Sequence, residues 1–207
     1  MYEHTLKFCK HAAAFLEVSR LAISNARFER GNKEPTIEGM NMFLVGCTNL
    51  AFALELAIKA FLREDYPQIH DLKKLFEMLE VNEKQMIVDS VIHDFRHRKD
   101  LERTEAANLE YDFEHLPPER QTEIGRALVE KRLTSANNPP MCDSEAEFYE
   151  LLEQCKYNYR QTRFIYEGKN SSFHMPFAFM DSVTRQLLFM AGLDYSVFGE
   201  DFFLHFK

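Results

Sequence analysis

The sequence contains no tryptophan, and only seven glycines and seven prolines occur among its 207 residues. So few turn-forming residues leave little room for a β architecture, which needs many sharp turns between short strands. The four cysteines, Cys9, Cys47, Cys142 and Cys155, form no CxxC pair, so the sequence indicates neither a disulfide framework nor a zinc knuckle. The composition predicts an all-α protein with reduced thiols.

Basic residues are also in the minority, and the formal net charge is −8. A general nucleic-acid scaffold is therefore not expected, because phosphate binding needs clustered Lys and Arg. One basic run occupies residues 96–99, but Asp94, Asp100 and Glu102 flank it. We interpret this run as a solvated helix face.

Signals for export or membrane insertion are lacking as well. The first residues do not show the basic-then-apolar order of a signal peptide. No window reaches the roughly 18 uncharged apolar residues of a spanning helix. The sequence predicts a cytoplasmic protein without a membrane segment.

What the sequence does contain is apolar residues at helical spacing, which predict one helical domain over residues 1–207. The expected helices lie at about residues 2–30, 37–63, 72–79, 82–103, 143–168 and 177–191, with a further exposed helix at 119–133. We expect residues 100–142 to be the least regular part, a helical or loop insertion over the core. Residues 194–207 carry four Phe, and we expect this apolar tail to pack on the domain or on a second subunit.

The mainly apolar stretch 49–62 has only two charged side chains, Glu55 and Lys59, which lie one helical turn apart with the acid first. This order stabilises a helix. One interpretation is a partly buried ion pair that fixes helix packing. The other is a cleft in which Lys59 contacts a phosphate and Glu55 orients it.

Four segments together resemble the HEPN-like domains, a nucleotide-binding superfamily of higher eukaryotes and prokaryotes. Two of them, residues 54–62 (LELAIKAFL) and 70–76 (HDLKKLF), are similar to that family's "ELxLKALL … HDLxxLF" signature. Residues 163–167 (RFIYE) look like its "RYxYE" segment, and residues 173–177 (FHMPF) are similar to the family's ending. The resemblance covers roughly half of the chain, and residues 82–142 lie outside it.

The resemblance implies an up-and-down helical bundle, usually dimeric, without a metal or other cofactor. It further implies a nucleotide or RNA ligand, or a nucleotidyltransferase-like partner protein, in stress response, phage defence or toxin–antitoxin systems. The residues implied in ligand binding are Glu55, Lys59, His70, Asp71, Arg163, Tyr166 and Glu167. A purely structural interaction subunit is a further hypothesis.

Ribonuclease members of the family carry an Arg-x(4–6)-His motif near the last helices, and this chain departs from that pattern. The histidine that follows Arg163 is His174, which is too distant, and only Arg63 and His70 have the required spacing. We therefore expect a non-catalytic protein. A metal-independent endoribonuclease that uses His70, His174 or Arg63 is the alternative, because imidazole titrates near neutral pH and serves as a general acid or base.

His93 and His97 have the i, i+4 spacing that can hold a metal ion. The segment lacks the glutamate of the zinc protease motif, and Arg96 and Arg98 are expected to repel a cation. The sequence therefore predicts a surface histidine pair.

Overall fold

A computed structural model of the chain describes residues 3–26, 37–62, 68–137, 142–156 and 175–193. These ranges contain α-helices and one 3₁₀ turn, Pro118–Arg120, and no β-strand. The helices are α1 (Glu3–Asn25), α2 (Ile37–Phe61), α3 (Leu72–Glu77), α4 (Val81–Glu114), α5 (Glu123–Asn137), α6 (Glu145–Cys155) and α7 (Phe177–Met190). The all-α prediction is confirmed.

Helix α2 is central, as its apolar stripe predicts. It packs against α1 more extensively than any other described pair of helices does, and it also contacts α7 and α3. Four alanines of α2 are fully buried: Ala51, Ala53, Ala57 and Ala60. Side chains this small let neighbouring helices approach closely.

The hydrophobicity of α2 bears on the expectation that the chain has no membrane segment, which stays a prediction. Among the described helices, the segment Glu38–Phe61 has the length and composition that a membrane crossing requires, with a mean hydropathy of 1.5. More than half of its apolar window is buried inside the bundle. The hydrophobicity therefore contributes to the protein core.

Aromatic side chains connect α3, α6 and α7. The ring centroid of Phe148 lies 5.4 Å from that of Phe76 and 5.0 Å from that of Phe179, and all three side chains are fully buried. Asp71 is the N-cap of α3, since its Oδ1 accepts a hydrogen bond from Lys74 N at 3.0 Å. Helix α7 ends at Met190, and the chain leaves it through Gly192, whose φ of +74° suits a residue without a Cβ.

Residues 100–114 are more regular than expected, whereas α5 corresponds to the further exposed helix predicted at 119–133. Helix α4 continues without a break to Glu114, and α5 packs back against it. The outer part of α4 is mostly exposed, with Ala106 as a buried exception. A solvated helix face of this kind lacks the apolar stripe that identifies a packed helix, so its polar sequence resembles a loop. The role of this hairpin as an insertion stays a prediction.

Two other predictions are tested only in part. Helix α6 begins at Glu145 with Ser144 as its N-cap, as the acids of that segment predict, and its described part ends at Cys155. The predicted continuation to Gly168 and the apolar tail at 194–207 lie outside the described residues.

Candidate functional site

Glu55 and Lys59 form a buried ion pair on α2. Lys59 Nζ donates a hydrogen bond to Glu55 Oε1 at 2.7 Å. The Lys59 side chain is only 7% exposed and the Glu55 side chain only 2%. Each of these two buried charges compensates the other, because a buried charge without a partner is strongly destabilising. This geometry matches the ion-pair interpretation of the sequence.

His70 joins this pair from the segment that precedes α3. Its Nδ1 lies 3.0 Å from both carboxylate oxygens of Glu55, and its side chain is 52% exposed. Because a carboxylate accepts hydrogen bonds, this contact favours the tautomer in which Nδ1 carries the proton. The buried acid therefore fixes the orientation of an imidazole that reaches the surface.

Asp71 sits beside His70, and its side chain caps α3. This cap explains how the local sequence positions His70, since it fixes the point at which the chain turns into the helix. We call Glu55, Lys59 and His70 the Glu55 cluster. The other predicted site residues, Arg63, Arg163, Tyr166, Glu167 and His174, lie outside the described residues.

A second polar cluster, which the sequence did not reveal, joins α1, α4 and α7. Asp181 on α7 accepts hydrogen bonds from Arg20 on α1, with Nη2 at 3.1 Å, and from Arg185 Nε at 2.8 Å. Arg185 Nη2 also donates to Asp94 on α4 at 3.1 Å. Arg98 Nη2 lies 2.8 Å from the same Asp94 oxygen. We call these five residues the interhelical charge network.

The charge of Asp94 shows how this network is balanced. Burial by itself raises the pKa of that carboxyl group. The Arg98 and Arg185 guanidinium groups and the Ser182 hydroxyl stabilise the carboxylate and lower its pKa. Together they outweigh burial, so the pKa of Asp94 lies below its usual value. Ser182 Oγ donates to Asp94 Oδ2 at 2.6 Å. Asp94 is therefore an anion that three helix-borne donors hold in place.

An open groove of about 620 Å³ lies between α4 and α7, next to this network. Its lining includes Asp89, His93, Asp94, His97, Arg185 and Phe189. The rings of His93 and His97 lie nearly parallel at the surface of α4, with centroids 6.4 Å apart, and both histidines are exposed, as the sequence predicts. Within the described ranges, no three His, Cys, Asp or Glu side chains are arranged to hold a metal ion.

A local signal for the network was present in the sequence. Asp94 and Arg98, like Asp181 and Arg185, are acid-first pairs at i and i+4. The second pair lies inside an apolar helix, as Glu55 and Lys59 do, and that pattern could have marked it as buried. No such spacing marks Arg20 as the partner, since 161 residues separate it from Asp181.

Comparison of the chain with protein-family models, with curated proteins and with solved structures gives no significant match.

Proposed function

We propose that the protein is a non-catalytic HEPN-like helical protein that binds the phosphate of a nucleotide or RNA at the Glu55 cluster. The observation that supports this function is the position of His70, a half-exposed imidazole held by both oxygens of a buried carboxylate. An oriented imidazole loses little side-chain freedom when it contacts a ligand, which favours binding. It also carries the positive charge that attracts phosphate when it is protonated.

In this proposal Lys59 holds the site together and does not contact the ligand. Its side chain is 7% exposed, and its ammonium group already pairs with Glu55. The ion pair compensates the charge of Glu55, so a protonated His70 leaves the cluster with a net positive charge.

One observation favours a metal-independent ribonuclease as the second candidate. A carboxylate that holds Nδ1 of a histidine is the arrangement that orients a general base in many hydrolytic enzymes. The Glu55–His70 contact has this form, with distances of 3.0 Å. His70 would then remove the proton from an RNA 2′-hydroxyl, and a second group would stabilise the charge that develops on the phosphate.

The biological setting that we propose rests on the sequence resemblance. It comprises a homodimer, with a nucleotidyltransferase-like protein as a possible class of partner, in stress or phage defence. Light scattering on the purified chain tests the dimer directly. A purely structural interaction subunit is the remaining hypothesis, and it predicts no nucleotide or RNA binding by the purified chain.

The test combines binding and cleavage in EDTA-treated buffer. Fluorescence polarisation measures binding of labelled single-stranded RNA and of a fluorescent ATP analogue, and gel analysis measures RNA cleavage in the same samples. The variants are His70→Ala, His174→Ala and Arg163→Ala. His115→Ala is the matched control, because His115 is an exposed histidine at the end of α4. Circular dichroism verifies that each variant is folded.

Binding that weakens about tenfold in His70→Ala, which corresponds to about 1.4 kcal/mol, supports the proposal. The expected His115→Ala control binds like the wild type, and all samples leave the RNA intact. Cleavage that disappears in folded His70→Ala would instead establish the ribonuclease. Equal binding by His70→Ala and His115→Ala contradicts a ligand site at the Glu55 cluster.

A further inference from the structure

The stacked histidines of α4 form one wall of the groove between α4 and α7. His93 and His97 lie one helical turn apart, and both are exposed. Their rings are nearly parallel, with an interplanar angle of 14° and centroids 6.4 Å apart. Two imidazoles at i and i+4 project from the same helix face, which is the spacing that lets one metal ion bind both.

From the sequence, Arg96 and Arg98 are expected to repel a cation beside His93 and His97. In the structure, each guanidinium group is hydrogen-bonded to an oxygen acceptor. Arg96 Nη2 donates a hydrogen bond to the backbone carbonyl of Asp143 in front of α6. Arg98 forms two hydrogen bonds with Asp94, from Nε at 3.2 Å and from Nη2 at 2.8 Å. Both guanidinium groups are thus held by oxygen acceptors, and the acceptor of Arg98, Asp94, is an anion of the groove itself.

The remaining charges of the groove do not oppose a cation either. The guanidinium of Arg185 is shared between Asp181 Oδ2 at 2.8 Å and Asp94 Oδ2 at 3.1 Å. Asp89 lies one turn before His93 on the groove side of α4 and receives a hydrogen bond from the neutral amide of Gln85 at 3.0 Å. A carboxylate beside two imidazoles favours a bound cation.

We propose that His93 and His97 bind one divalent transition-metal ion of the zinc, copper and nickel class, with water completing its coordination. Imidazole nitrogen suits these ions, whereas Mg²⁺ and Ca²⁺ prefer oxygen ligands. Each metal–nitrogen bond of about 2.0–2.1 Å requires the two rings to turn toward a common point. Both side chains are exposed and line the groove, so solvent leaves the rings room to turn.

The experiment is a titration of the metal-free full chain with ZnCl₂ by calorimetry, and with CuCl₂ by electron paramagnetic resonance. The variants are His93→Gln and His97→Gln. His115→Gln is the control for binding by an isolated surface histidine of the same helix, because Tyr111, not a second histidine, stacks on His115. MgCl₂ serves as the control for charge alone.

The expected result is one Zn²⁺ per chain with an affinity that falls at least about tenfold in either groove variant, since even outer-shell partners are worth that much. His115→Gln keeps the wild-type affinity, MgCl₂ gives no heat at the same concentrations, and the Cu²⁺ spectrum shows two nitrogen ligands. The proposal is overturned if both groove variants bind Zn²⁺ like the wild type, or if the Cu²⁺ spectrum shows a single nitrogen. Because all substitutions are at exposed positions, loss of folding does not confuse the result.

Discussion

Arg20 and Asp181 meet in the interior, with Arg20 Nη2 3.1 Å from Asp181 Oδ1, although 161 residues separate them in the sequence. Their side chains are only 7% and 3% exposed. Arg185 contacts the second oxygen of the same carboxylate. This aspartate therefore contacts two guanidinium groups and links the first described helix to the last.

We predict that Asp181→Asn destabilises the protein by about 3–5 kcal/mol, because it removes the carboxylate that the buried Arg20 and Arg185 guanidinium groups share. For a protein of this length the melting temperature should fall by roughly 6–20 °C. Thermal unfolding followed by circular dichroism measures the change. Asp100→Asn is the control, since Asp100 is an exposed acid that lies 4.0 Å from Arg103. It should change stability by less than about 0.5 kcal/mol, and an equal loss in both variants would contradict the proposed role of Asp181.

Local patterns predicted much of the fold but little of its polar interior. The stripe of α2 and the cap at Asp71 are visible in the sequence because spacing and capping act over a few residues. The outer half of α4 gave no such signal, since its residues face solvent. Pairing between distant helices, as for Arg20 and Asp181, depends on the packing of the whole bundle and cannot be inferred from spacing.

In the candidate site, too, the local pattern was predicted from the sequence and the burial was not. Glu55, Lys59 and His70 were assigned to one site from the sequence, and the structure brings them into contact. The sequence left open whether Lys59 is buried, because a charge in an apolar stripe fits both a packed pair and a cleft. Burial depends on which helices cover α2, and that is a property of the folded bundle.

The Glu55–Lys59 pair leads to a second prediction, which separates the cost of breaking the pair from its net value. Glu55→Gln should destabilise the protein by about 3–5 kcal/mol, because Lys59 then stays buried without its anion. The double variant Glu55→Gln/Lys59→Met should recover most of that loss, since it removes both buried charges of the pair. Urea unfolding of the wild type, both single variants and the double variant gives the coupling free energy. Additive losses would show that the two charges do not depend on each other.

A third prediction concerns the close contact of α1 and α2 at Gly46. A Cβ at this position would lie 2.3 Å from Ile23 Cγ1 and 3.1 Å from the backbone oxygen of Ser19. Ser19 Oγ also donates a hydrogen bond to the Gly46 carbonyl at 2.7 Å, which holds the two helices at this distance. Gly46→Ala should therefore destabilise the protein by about 1–3 kcal/mol through overpacking.

A compensating substitution tests the cause of that loss. Ile23→Ala by itself creates a cavity and should also destabilise the protein, by about 2–5 kcal/mol. In the double variant Gly46→Ala/Ile23→Ala, the new methyl group occupies part of that cavity. The double variant should therefore lose less stability than the sum of the losses of the two single variants. Chemical unfolding of the four proteins measures the interaction. If the loss of the double variant equals the sum of the two single losses, the new methyl group does not clash with Ile23.

The buried thiols lead to a prediction about alkaline pH. Burial raises the pKa of Cys9 to about 11 and that of Cys47 to about 12. The same effect, reinforced by the nearby Glu147 and Asp143 carboxylates, raises the pKa of Cys142 to about 12. Thiols in an unfolded chain ionise near pH 8.5. From about pH 8.5 to 11 the unfolded chain therefore binds fewer protons than the native one, and the free energy of unfolding must fall as pH rises.

Each such thiol contributes at most about 1.4 kcal/mol per pH unit to this slope. Lysine and tyrosine titrate in the same range, so the comparison that isolates a thiol is wild type against Cys47→Ala. The variant is less stable at pH 7, because it loses the packing of a fully buried side chain. Urea unfolding at pH 7, 8.5 and 10 should show this difference shrinking as pH rises, since the variant has no thiol at this position to ionise on unfolding. A difference that stays constant from pH 7 to 10 would mean that the Cys47 thiol ionises equally in the native and unfolded states.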